Sequence, residues 1–165
     1  MIPKTIRLLA GVSILLFAVG FFSWPYLQWL LVPKAAVVAT TSFAGGYSSR
    51  LNGAVVLALL PWVVQAVFIA TGPVERRIQW ISIMLVADGL WVGLLVRWAM
   101  LRYQVSKVAG QAPSGKSVPA TNDIPRVALY QAELHFEWYA LAGMLGAGLL
   151  AYTLAKRFQN TKRPS

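Results

Sequence analysis

The sequence predicts an all-α integral membrane protein, a bundle of four transmembrane helices with both termini in the cytoplasm. Three observations lead there. Hydrophobic residues make up 58% of the 165-residue chain and charged residues only 12%, against roughly 25% charged in soluble domains, and mean hydropathy is +0.60. Four apolar runs each reach the roughly 20 residues that a helix needs to cross the hydrocarbon core of a bilayer. The basic residues stand at the ends of those runs, as Lys4 and Arg7, Arg76 and Arg77, Arg102 and Lys107, Lys156 and Arg157.

That placement gives the charge its meaning. Fifteen Lys and Arg against five acids leave a net charge of +10, which in a soluble protein would suggest nucleic acid. Cations that bracket hydrophobic segments instead suit lipid phosphates and snorkelling. The expected partners are therefore the lipid bilayer and either a membrane protein partner or a second copy of the chain, with no nucleic acid. The expected location is the cell membrane. With no cysteine in the chain, thiolate catalysis, disulfide exchange, Cys-ligated metal centres and lipidation at cysteine are excluded. A single histidine, His135, excludes a bis-histidine haem held by one copy.

The elements follow in order within one membrane domain, residues 1–165. The first span covers residues 6–27, or extends as far as 32. Lys4 and Arg7 ahead of LLAGVSILLFAVGFF resemble the start of a signal peptide, but Ser23-Trp24-Pro25-Tyr26 offers bulky residues where a peptidase needs small ones. An uncleaved first helix is expected. Pro25 would kink or close it, and Trp24, Tyr26 and Trp29 read as interfacial aromatics. The second span is 51–71, the third 78–101 and the fourth 130–155. Residues 33–50 and 102–129 form the loops on the far side. The first contains a Gly/Ser/Thr-rich stretch, and the second carries Gly110, Pro113, Gly115, Pro119 and Pro125. Asn122 or Asp123 would cap the helix that begins near Pro125.

Orientation comes from counting flanking cations. With the N-terminus inside, the cytoplasmic segments carry Lys4, Arg7, Arg76, Arg77, Lys156, Arg157, Lys162 and Arg163. The opposite side carries Lys34, Arg50, Arg102, Lys107, Lys116 and Arg126, spread over longer loops. The denser positive charge favours N-in and C-in.

Ionisable groups inside a span are costly and mark candidate sites. On the third helix, steps of about 100° place Gln79, Ser82, Val86, Gly89, Gly93 and Arg97 on one face. Gly89 and Gly93 have the spacing that lets membrane helices approach closely. On the fourth, Glu133, Glu137, Ala140, Ala147, Gly148, Ala151 and Ala155 share a face. Running the two antiparallel, with Ile78 level with Ala155, sets Arg97 beside Glu137 and sets Gly93 and Gly89 opposite Ala140 and Met144. This predicts a close third–fourth helix contact with an Arg97–Glu137 ion pair, and Glu133 near Arg97 or Arg102. The cluster reads either as a self-neutralising structural pair or as a polar pocket for an ion, a proton or a lipid headgroup.

Asp88 points about 180° from Arg97. In depth it matches Pro61 of the second helix, which frees the carbonyl of Leu57, with Trp62 and Gln65 as neighbouring donors. It reads as a satisfied polar contact there, or as a proton relay, an ion ligand or a partner contact. His135 falls about 160° from Glu137 on a helical wheel, so the run Glu133–Glu137 does not converge on a metal, and neither a metal nor a cofactor is expected. No nucleotide loop, zinc pattern or nucleophile set is present.

Three functions remain. The leading one is a non-enzymatic accessory, assembly or scaffolding subunit that packs against other membrane helices. The second is an oligomeric transporter or channel component using Asp88 or the Arg97/Glu133/Glu137 cluster. The third is a membrane-embedded enzyme acting on a lipid or hydrophobic substrate with Glu137 and His135 as acid–base groups.

Overall fold

A computed structural model describes residues 4–31, 47–110 and 135–161, all within four helices and the turn between the second and third apart from His135. These are α1, Lys4–Leu31, α2, Tyr47–Thr71, α3, Arg76–Gly110, and α4, Phe136–Thr161. Each contains a stretch long and apolar enough to cross a membrane: Lys4–Leu27, Arg50–Thr71, Arg76–Gln104 and Phe136–Thr161. The rest of the loops expected at 33–50 and 102–129, the caps at Asn122 and Asp123, and residues 130–134 lie outside the described residues.

α3 and α4 end later than hydropathy predicts, and α4 starts at Phe136, with His135 outside the helix, instead of running from 130. α3 continues to Gly110 instead of ending near 101, and α4 reaches Thr161 instead of 155. The physical reason is that an α-helix satisfies its hydrogen bonds internally, so polar residues such as Tyr103 and Gln104 extend it beyond the point where hydropathy falls. α1 passes through Pro25 without ending there, and α2 passes through Pro61. Two residues before Pro25, the Ser23 hydroxyl donates to the Val19 carbonyl at 2.6 Å, four residues back in the same helix.

The helices do not pack in chain order. α4 sits between α2 and α3, its most extensive contact being with α3; α1 packs on α2, and α2 touches α3 only slightly. The turn that joins α2 to α3 is short. Gly72 takes a φ of +72°, a left-handed value that glycine adopts without strain, and its N–H donates to the Phe68 carbonyl at 3.0 Å to close α2. At the other side Ile78 N–H donates to Glu75 O at 2.9 Å and opens α3. Gln159, near the end of α4, donates its side-chain amide to the Thr71 carbonyl at 2.7 Å and the Pro73 carbonyl at 3.3 Å. The end of α4 is thereby tied to the turn between its two neighbours.

Glycines set the contacts. A Cβ on Gly89 would overlap the Ala147 side chain and stand 2.5 Å from the Gly143 carbonyl oxygen, while one on Gly93 would collide with the Tyr139 carbonyl. On the other side of α4, Gly148 faces Val63 and Val67 of α2. The α1–α2 contact uses a different fit. Trp24 is 1% exposed, and its indole fills the space a side chain on Gly53 would take. Trp24 is therefore a packing residue, not the interfacial anchor its position in the sequence suggested; Tyr26 is exposed.

Candidate functional site

Along α3, buried positions recur at helical spacing: Ser82, Val86, Gly89, Leu90, Gly93, Leu94, Arg97 and Leu101. Along α4 they are Phe136, Glu137, Ala140, Met144, Gly148, Ala151 and Ala155. Both stripes are apolar or small except at one end, where each carries a charge. Arg97 and Glu137 are each 5% exposed, opposite charges buried toward the same end of the α3–α4 contact. Helix geometry produces the meeting. Gly93 lies one turn before Arg97 and brings α3 against the backbone at Tyr139 and Ala140, which carries Arg97 to the first turn of α4. There the Arg97 guanidinium carbon lies 5.3 Å from the centre of the Tyr139 ring, within range of a cation–π attraction.

Glu137 benefits from its place in the first turn of α4, where unpaired N–H groups favour a negative charge. Its Oε1 is 3.8 Å from Nδ1 of His135, whose side chain is 48% exposed. Oε2 is buried and has no hydrogen-bond partner among the described residues. The contact with His135 departs from the angular separation expected on a helical wheel. His135 precedes the first helical residue, Phe136, so a step of about 100° does not apply to it. Together the three side chains run from an exposed imidazole through a buried carboxylate to a buried guanidinium. Chemically, that arrangement can hold a helix register. Glu133, expected beside it, lies outside the described residues.

Asp88 is elsewhere and has different surroundings. It is exposed on the face of α3 opposite the α4 contact, and it makes no hydrogen bond or ion pair among the described residues. The contact expected with Gln65, Trp62 and Pro61 is not formed. α4 lies between α2 and α3, leaving Gln65 half-buried, Trp62 exposed and Pro61 buried on a helix that barely meets α3. Among the described residues, no three acidic or histidine side chains are grouped to hold a metal ion.

Of the packing residues singled out in the sequence, Gly89, Gly93, Ala140 and Ala147 meet at the α3–α4 contact, and Gly148 turns toward α2. Ala151 is buried further along. Gly143 was missed, although it is the residue against which both Gly89 and Gly93 press. The signal for it was present as Gly143 and Ala147, small residues four apart on α4 that mirror Gly89 and Gly93 on α3. Tyr139 and the pairing of Trp24 with Gly53 had no local signal, since each depends on which helix lies opposite. No protein-family model, curated protein or solved structure matches this chain.

Proposed function

We propose that the protein is an accessory, assembly or scaffolding subunit of a membrane complex, without catalytic activity of its own. It resides in the cell membrane with both termini in the cytoplasm, the side on which flanking cations are densest. Asp88 carries the reading. At about 1.5 Å per residue, it lies roughly 18 Å from the Arg76 end and roughly 24 Å from the Gln104 end of the α3 span, close to mid-depth. A carboxylate facing lipid there costs from about 2.5 to more than 10 kcal/mol. Nothing else in the described chain covers it, so a second macromolecule that does so removes the penalty. By contrast, Arg97 and Glu137 are already enclosed between α3 and α4, which supports a structural role for that pair.

The test is purification in mild detergent at native abundance, with the mass and composition of the particle determined directly. A stable complex with a different membrane protein in fixed stoichiometry is expected; a monodisperse monomer would sink the reading. Asp88 also supports a second reading, an oligomeric transporter or channel component. That reading requires a homo-oligomer, together with loss of ion or proton flux on Asp88→Asn.

A further inference from the structure

We infer that the Asp88 face of α3 seats a transmembrane helix of a partner protein that presents a lysine or arginine at mid-depth. The inference rests on the accessory-subunit reading and gives its partner a chemistry. Asp88 stands within a ridge of exposed apolar side chains, Ile81, Met84, Trp91, Val92 and Leu95, at the three- and four-residue spacings along which helices interlock. Trp91 is one turn beyond Asp88 and 52% exposed. A carboxylate and an indole one turn apart on the same face offer a cation both an ion pair and an aromatic ring. A neutral helix would use the ridge but leave the carboxylate unpaired.

The chain's own basic residues argue against a second copy in this position. Within the spans as described, the one cation away from the ends is Arg97, and it is buried against α4. Among the described residues, the exposed cations, Lys4, Arg7, Arg76, Arg77, Arg102, Lys107 and Arg157, all stand near or beyond the ends of the spans. A second copy inserted the same way and packed face to face would bring its own Asp88 to this depth, placing like charges together. Among the described residues no exposed cation of a second copy reaches this depth, which points to a countercharge from a different chain.

The test uses the full-length protein, fluorescently labelled, in phosphatidylcholine vesicles. The probes are synthetic leucine–alanine transmembrane peptides with one central Lys, Leu or Asp, and energy transfer reports association. The central-Lys peptide should bind about tenfold tighter than the central-Leu peptide, the scale of one interhelical polar contact. Asp88→Leu should erase that difference, Asp88→Lys should transfer the preference to the central-Asp peptide, and Trp91→Leu should narrow it. Asp88 is exposed and makes no hydrogen bond or ion pair among the described residues, so an unchanged thermal melt is expected for Asp88→Leu. Equal binding of the Lys and Leu peptides, or a Lys preference that survives Asp88→Leu, overturns the inference. So does self-association of the wild-type protein that Asp88→Leu abolishes, which would give the face to a second copy. A heteromeric complex recovered equally well with Asp88→Leu would overturn this docking face while leaving the accessory role standing.

Discussion

Replacing Gly93 with alanine is the most direct test of how α3 and α4 are held together. An added Cβ would overlap the Tyr139 carbonyl and stand 3.1 Å from the Ala140 Cα, both atoms of backbone within α4. Backbone cannot rotate away as a side chain can, so the two helices must separate, and the Gly89–Gly143 contact on the same seam opens with them. Overpacking of this kind costs about 1–3 kcal/mol, and the absence of a yielding neighbour puts Gly93→Ala at about 3 kcal/mol. Gly146→Ala is the matched control. It lies on α4 with nothing within 4 Å of the new Cβ, and exchanging glycine for alanine in a helix favours folding by about 0.5–1 kcal/mol. That gain is common to both variants and cancels, so they should differ by about 3 kcal/mol, over a hundredfold in the folded-to-unfolded ratio. Reversible unfolding by SDS titration in mixed micelles measures the difference. Gly93→Ala as stable as Gly146→Ala would mean that α3 and α4 do not meet at these glycines.

Other perturbations test the remaining contacts. Trp24→Ala empties the space beside Gly53 and should destabilise the α1–α2 contact by about 3–5 kcal/mol. Gly53→Ala should be similarly harmful alone but milder in combination with Trp24→Leu, as read from unfolding midpoints. Arg97→Glu and Glu137→Arg should each lower the folded yield in size-exclusion chromatography, because removing one member of a buried pair costs about 3–5 kcal/mol; the double exchange should recover part of the loss. Full recovery is not expected, since an arginine at 137 would face the unpaired N–H groups of the first turn of α4. Gln159→Leu should cost about 1 kcal/mol and speed amide exchange at Gly72, whose hydrogen bond closes α2.

The number of spans was legible because hydropathy acts residue by residue and needs no knowledge of neighbours. The α3–α4 contact was legible too. Gly89 and Gly93 announce a close approach, and the antiparallel alignment set Gly93 opposite Ala140, where a Cβ on Gly93 would fall 3.1 Å from the Ala140 Cα. What failed was inference from adjacency in the chain. α2 and α3 follow one another through a short turn, and that made Gln65 and Trp62 seem natural partners for Asp88. The intervening α4 comes from far along the sequence, and no local pattern reveals that it enters between them. His135 failed for a narrower reason, a helical wheel applied one residue beyond the end of its helix.

The two hydrogen bonds from Gln159 link the final helix to carbonyls 88 and 86 residues earlier. During synthesis, then, the α2–α3 hairpin enters the bilayer with the slot between its arms still vacant. It stays an open clasp until α4, made far later along the chain, packs between the two arms and its Gln159 reaches the turn that joins them.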